Sequence, residues 1–143
     1  MTMTTADLQK LSPAELDQLY QRSPMGDIPN GEGKGTVLFL TSLPTGNICS
    51  GLVKLLAWQG KVFYRDQGFL LNRVSLFSIQ MIKAKVDPGE SWFTQGEATI
   101  LDYSKTSFVA QKIRDEIREV SPGLYLGQTY WDTTRVLCFS LEF

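Results

Sequence analysis

The side chains best suited to acid–base chemistry or ligand orientation fall in the second half of the chain, on stretches that read as strands. In Phe69 to Phe77, the residues Phe69, Leu71, Arg73, Ser75 and Phe77 share one face. A register that buries the three apolar members carries Arg73 inward with them. A guanidinium is always charged, and burying it unpaired costs several kcal/mol. In Glu97 to Tyr103 the same parity places Asp102 beside Ala98 and Ile100, which makes it a natural partner for Arg73. Together with Asn72, the pair would orient a ligand carboxylate, phenol or carbonyl in an apolar cavity. The plainer alternative is an arginine at a barrel rim, or a fully satisfied buried bridge.

Tyrosines supply the other half of such chemistry, since a phenol beside a carboxylate can act as general acid or ligand anchor. Tyr103 or Tyr130 would be the acid, with Asp102 or Glu116 as base if burial raises its carboxyl toward neutrality. Tyr125 and Trp131 would line the ligand, although ordinary core packing also accounts for aromatic residues here. Lys112 to Glu119 is dense in mixed charge, and Asp115 and Arg118 stand three apart. On a helix that face would be solvated and the two would pair on the surface. Alternatively, Arg114 or Arg118 would fold over the cavity mouth and attract an anionic ligand.

Composition narrows the chemistry. The 143 residues contain no histidine, so histidine-activated nucleophiles and histidine-ligated metals are excluded. Two distant cysteines, Cys49 and Cys138, cannot hold a zinc ion alone and read as reduced thiols. Gly26 to Gly31 has the glycine spacing of a phosphate loop, but Glu32 stands where lysine is required. No metal or cofactor is expected. Fourteen basic residues against fifteen acidic ones leave a net charge of −1, with no basic cluster to draw nucleic acid. The first residues lack a signal-peptide pattern and no apolar run is long enough to span a bilayer, so a cytoplasmic protein is expected.

The positioning elements follow from periodicity and turn chemistry. Ser12, Pro13 and Glu15 form a capping-box signature, opening an amphipathic helix to about Arg22 on which Leu16, Leu19 and Tyr20 share a face. Pro24 to Gly35 reads as irregular, and Thr36 to Thr41 as a first strand. A short helix fits Cys49 to Ala57. Strands follow at Lys61–Arg65, Phe69–Phe77, Ile79–Val86 and Glu97–Tyr103, with a turn at Asp87 to Glu90. Thr106 or Ser107 would cap a helix whose stripe is Val109, Ile113, Ile117 and Val120, ended by Pro122 and Gly123. Two strands close the chain, Leu124–Trp131 and Thr134–Phe143.

The expected fold is therefore α+β and mostly β. It is a single domain over residues 1–143, with a helix and glycine-rich lead-in loop to residue 35 and a curled antiparallel sheet or small barrel from 36. Trp58, Gly60 and Lys61, with the ending Gly123 to Gly127 and Arg135 to Phe143, resemble small lipocalin-like (calycin) barrels over roughly residues 60–143. Lipocalins place tryptophan after glycine on their first strand, whereas here it precedes, and the helix before the last two strands is also unlike them. The resemblance implies a cavity for an apolar small molecule and transfers no catalytic residue. Two functions stand side by side, with an interaction module using its sheet face or charged helix as a third. One is binding of a hydrophobic ligand in a barrel cavity. The other is a cofactor-independent cyclase, isomerase or dehydratase acting on a hydrophobic metabolite. A homodimer is left open.

Overall fold

The computed structural model describes residues 2–41, 58–74, 83–105 and 111–143. Two short helices, α1 (Thr5–Gln9) and α2 (Pro13–Arg22), precede eight strands: β1 (Gly31–Leu40), β2 (Trp58–Tyr64), β3 (Phe69–Val74), β4 (Lys83–Glu90), β5 (Glu97–Asp102), β6 (Ile113–Ser121), β7 (Leu124–Trp131) and β8 (Thr134–Glu142). Each strand pairs antiparallel with the next, and β8 returns to β1, closing the barrel. The expected helix over Cys49–Ala57 lies outside the described residues, as do residues 75–82 of the expected strands.

Both helices open on reciprocal caps. Thr4 and Ser12 accept from the backbone N–H of Asp7 and Glu15, whose carboxylates accept from the cap N–H in return. The helices lie against the barrel wall rather than across an opening. Leu8, Leu16, Leu19 and Tyr20 pack on Leu124, Leu126 and Cys138 of the outer faces of β7 and β8. A second core fills the barrel, drawing on Phe63, Leu70, Leu101, Ile117, Tyr125, Leu137, Phe139 and Leu141.

Four sequence expectations are corrected. Gly31 to Gly35 is strand, not loop, because Gly33 gives the Phe143 ring the space a side chain would occupy. Asp87 to Glu90 continues β4 instead of turning. Beyond Lys85, β4 is in register only with β5, where proline's missing N–H is tolerated. The helix expected to end at Val120 is β6 from Ile113 onward. Its apolar residues match a helical stripe, but charged residues are buried on both faces of the strand: Asp115 inward, Glu116 and Arg118 outward. Accordingly, Asp115 and Arg118 point to opposite sides of the wall and do not pair.

Fourth, the parity of two strands is reversed. In β3, Leu70 and Asn72 are buried while Arg73 is exposed; on β5, Thr99 and Leu101 face inward and Ile100 and Asp102 outward. Pro122 and Gly123, the latter at φ 75°, make the β6–β7 turn, and Asp132 at φ 53° opens the β7–β8 turn.

One end of the barrel is crossed by the segment after α2. Ile28 packs against the inner core there; Tyr125 Oη donates to the carbonyl of Asp27 at 2.7 Å, and Arg65 Nη1 to that of Ile28 at 2.9 Å. Ile113 and Trp131 pack against the core at the opposite end. Mid-wall, the Phe139 ring lies directly over Gly127, so that a Cβ there would stand 2.3 Å from it. Gly127→Ala is therefore expected to destabilise the fold by about 1–3 kcal/mol. A lowered urea midpoint with unchanged slope checks this; an unchanged midpoint would mean the ring has room to shift.

Candidate functional site: a polar cluster inside the barrel

Inner-face side chains alternate along each strand, so each polar residue two places from an inner apolar one also points inward. Lys61 follows this rule from Phe63, Asn72 from Leu70, Tyr103 from Leu101, Asp115 from Ile117, and Thr129 from Trp131. All five are buried, and they meet. Lys61 Nζ donates to Asn72 Oδ1 and to Tyr103 Oη, both at 2.7 Å, and lies 3.0 Å from Asp115 Oδ2. Asn72 Nδ2 donates to Tyr103 Oη at 2.7 Å, and that hydroxyl lies 3.3 Å from Asp115 Oδ2. Thr129 Oγ1 donates to Asp115 Oδ1 at 2.7 Å. Nζ also stands 5.4 Å from the Tyr103 ring centre and 5.6 Å from that of Phe139.

The electrostatics follow from burial. Removal from water pulls the Lys61 ammonium below its ordinary range, and the Asp115 carboxylate pulls it back only in part. Burial, reinforced by Asp115, holds the Tyr103 phenol well above its usual range despite the bond from Asn72. The cluster is thus an ion pair bridged by a neutral phenol, with an amide and an alcohol orienting the two ends. Such an array can bind a carbonyl, hydroxyl or carboxyl oxygen, or move a proton between phenol and carboxylate.

Of the residues singled out in the sequence, Asn72 and Tyr103 belong to this cluster. Trp131 packs against the inner core toward the same end, whereas Tyr125 is inside but held at the crossed end. Arg73 and Asp102 do not meet. The Arg73 side chain is 43% exposed and pairs with Glu32 on the outer surface, while Asp102 accepts from the Ser104 N–H at 2.9 Å. Burial tends to raise the Asp102 carboxyl, but the bonds from Ser104 and the neighbouring Lys105 and Arg114 hold it below its ordinary range, the opposite of a base tuned toward neutrality.

Arg114, Glu116 and Tyr130 form a second cluster on the outside of the wall, together with Tyr20 and the loop after β4. Glu116 accepts from Tyr20 Oη at 2.9 Å, Ser91 Oγ at 2.5 Å, Trp92 N at 2.8 Å and Arg114 Nη1 at 2.8 Å. The Arg114 guanidinium stacks 3.9 Å from the Trp92 ring, which meets Tyr130 edge-on. Burial pushes the Tyr130 hydroxyl up to about 12. These contacts fasten the loop and α2 to the barrel; Arg114 does not cover an opening. A surface depression of about 440 Å³ along Glu90–Gly96, and another of about 290 Å³ beside Arg65 and Tyr125, both lie away from the inner cluster.

Comparisons with known proteins establish the fold and go no further. No family model matches the chain, and no curated protein does. A solved structure described as a protein from Thermomonospora curvata is similar over 92% of this chain and 87% of its own length, with a TM-score of 0.57 and 21% identity. At that identity the likeness speaks for the closed, mostly β barrel with two short helices, not for a shared activity. Among the described residues, no group of three His, Cys, Asp or Glu side chains is placed to hold a metal. No helix there is long and apolar enough to cross a membrane.

Lys61, Asp115 and Thr129 were not legible as site residues. Lys61 was within reach, since the parity argument applied to Arg73 also places it beside Phe63. Asp115 was hidden by the helical reading of its segment.

Proposed function

We propose that the barrel is a receptor for a small, largely apolar molecule bearing one polar group. The molecule enters at the end opposite the Ile28 crossing and presents that group to Lys61, Asn72 and Tyr103. One observation carries this reading: an ion pair with three further polar side chains occupies the inside of a barrel whose other inner residues are largely apolar. Burying such a pair for stability alone has little to recommend it, because apolar residues of similar volume are often as good or better. Binding sites, by contrast, are apolar enclosures with a few converging polar groups. In this reading Trp131 and Ile113 flank the way in, and the crossed end forms the floor.

A second reading rests on the Tyr103 hydroxyl, which stands between an ammonium and a carboxylate. The same arrangement suits proton transfer in a cofactor-independent isomerase or dehydratase, with Tyr103 as acid and Asp115 as base. The outer-wall residues Asp102, Glu116 and Tyr130 have no part in it.

Native mass spectrometry of freshly purified protein tests the receptor reading. A defined small mass released on denaturation is expected from the unaltered chain. Tyr103→Phe is expected to weaken its retention roughly tenfold, the loss of one hydrogen bond in a buried ionic array. Full retention by the double variant Lys61→Met/Asp115→Leu would place the ligand elsewhere. A chain that turns over a candidate metabolite, and loses that turnover in Tyr103→Phe, would favour the second reading.

A further inference from the structure

Lys61 differs in kind from the other lysines of the described chain. Lys10, Lys34, Lys83, Lys85, Lys105 and Lys112 are exposed, whereas Lys61 is 3% exposed and held inside the barrel. Its amine stands 2.7 Å from the Tyr103 hydroxyl and 3.0 Å from a carboxylate, 5.4 Å from the Tyr103 ring centre and 5.6 Å from that of Phe139. An amine with a proton acceptor and a proton relay at bonding distance is equipped to condense with a carbonyl.

We propose that Lys61 is a covalent anchor that forms an imine with a conjugated aldehyde, α,β-unsaturated or aromatic, bound in the barrel. This rests on the receptor reading and specifies its ligand. Lys61 first passes one ammonium proton to Asp115. The nitrogen lone pair then attacks the aldehyde carbon, so that a C–N bond forms as the carbonyl π bond breaks. The oxygen collects that proton from Asp115 through Tyr103 and a second from nitrogen, and it departs as water. One proton stays on nitrogen. Ammonium plus aldehyde thus becomes iminium plus water, with no oxidant or reductant.

Two features of the site match the product. The iminium carries the same single positive charge as the ammonium, so Asp115 keeps its counter-ion and no new buried charge arises. The Tyr103 and Phe139 rings beside Nζ suit a cation spread along a conjugated chain. Burial, which draws the Lys61 ammonium below its ordinary range, eases departure of the first proton.

Cinnamaldehyde is the probe, added to the full chain near neutral pH with sodium cyanoborohydride to fix any imine, followed by peptide mapping. Lys61 is expected to be modified faster than any exposed lysine, with a red-shifted absorbance before reduction. Tyr103→Phe should slow Lys61 modification on the order of a hundredfold, as loss of a proton relay does. The Lys61→Met/Asp115→Leu variant should lose the absorbance band while its exposed lysines still react. An unmodified Lys61 beside modified surface lysines overturns the inference. A co-purified ligand seen on the native protein in that case would leave the receptor reading standing, so the two fail separately.

Discussion

Lys61→Met alone is expected to destabilise the protein by about 3–5 kcal/mol, because it leaves the Asp115 carboxylate buried without its cation. Asp115 would keep the hydroxyls of Thr129 and Tyr103 as donors, but neither carries charge. Adding Asp115→Leu to the same chain removes the stranded charge, so the double variant should recover most of the loss. Urea denaturation of the two single variants and the double completes the cycle, with the midpoint read at constant slope. Recovery in the double variant means that the pair is not needed for the fold and is retained for something else, as the receptor reading requires. A double variant no more stable than the singles would make the pair a structural bridge and remove the main support for a site at Lys61. A cost below about 1 kcal/mol for Lys61→Met would mean that water reaches Asp115.

Glu116→Ala is the second large effect expected, again about 3–5 kcal/mol, since it abandons the Arg114 cation and three further donors on the outer wall. Unlike the Lys61 variants, it should loosen α2 and the Ser91–Gly96 loop first. Hydrogen exchange would show this as lost protection there while the barrel strands remain protected. The same carboxyl contributes to acid sensitivity. Burial tends to raise it, but bonds from Ser91, Trp92, Arg114 and Tyr20 outweigh that and hold it below its unfolded value near 4.5. A carboxyl lowered in the folded state contributes stability that is present above the unfolded value and lost as pH falls through the folded one. Stability of the unaltered protein should therefore decline below about pH 4.5, and Glu116→Gln should flatten that decline. A Gln variant with the same acid limb would assign the limb to other carboxylates.

Arg118, next along the outer face of β6, works with Glu116. Its guanidinium donates to the carbonyls of Tyr20, Gln21, Gln95 and Glu97, tying the end of α2 to the loop and to β5. A short strand thus carries one buried carboxylate facing inward, and a buried carboxylate and guanidinium facing outward. The inward group belongs to the candidate site; the outward groups hold the scaffold around it.

Local chemistry by itself determined several parts of this protein. Ser12, Pro13 and Glu15 specify the start of α2, because the cap needs only residues three apart. Pro122 and Gly123 specify a turn, and the alternation of Leu137, Phe139 and Leu141 specifies β8, because that strand has one bulky, buried face. The mostly β class and the closing hairpin follow from such signals. Tertiary structure alone decided which face of β3 and β5 is inside, that Ile113–Ser121 is a strand, and that Lys61, Asn72, Tyr103, Asp115 and Thr129 meet. For β6 the reason is burial on both faces of the strand. Alternation reports the inside of a barrel only where the outside is wet, and here α2 and the Ser91–Gly96 loop cover part of the outer wall. Charged residues buried on both sides of β6 then leave no apolar alternation of period two to read, and on β3 a parity error of one residue exchanges Asn72 for Arg73. Partners that satisfy a buried charge come from strands distant in sequence, so only the closed barrel brings them together.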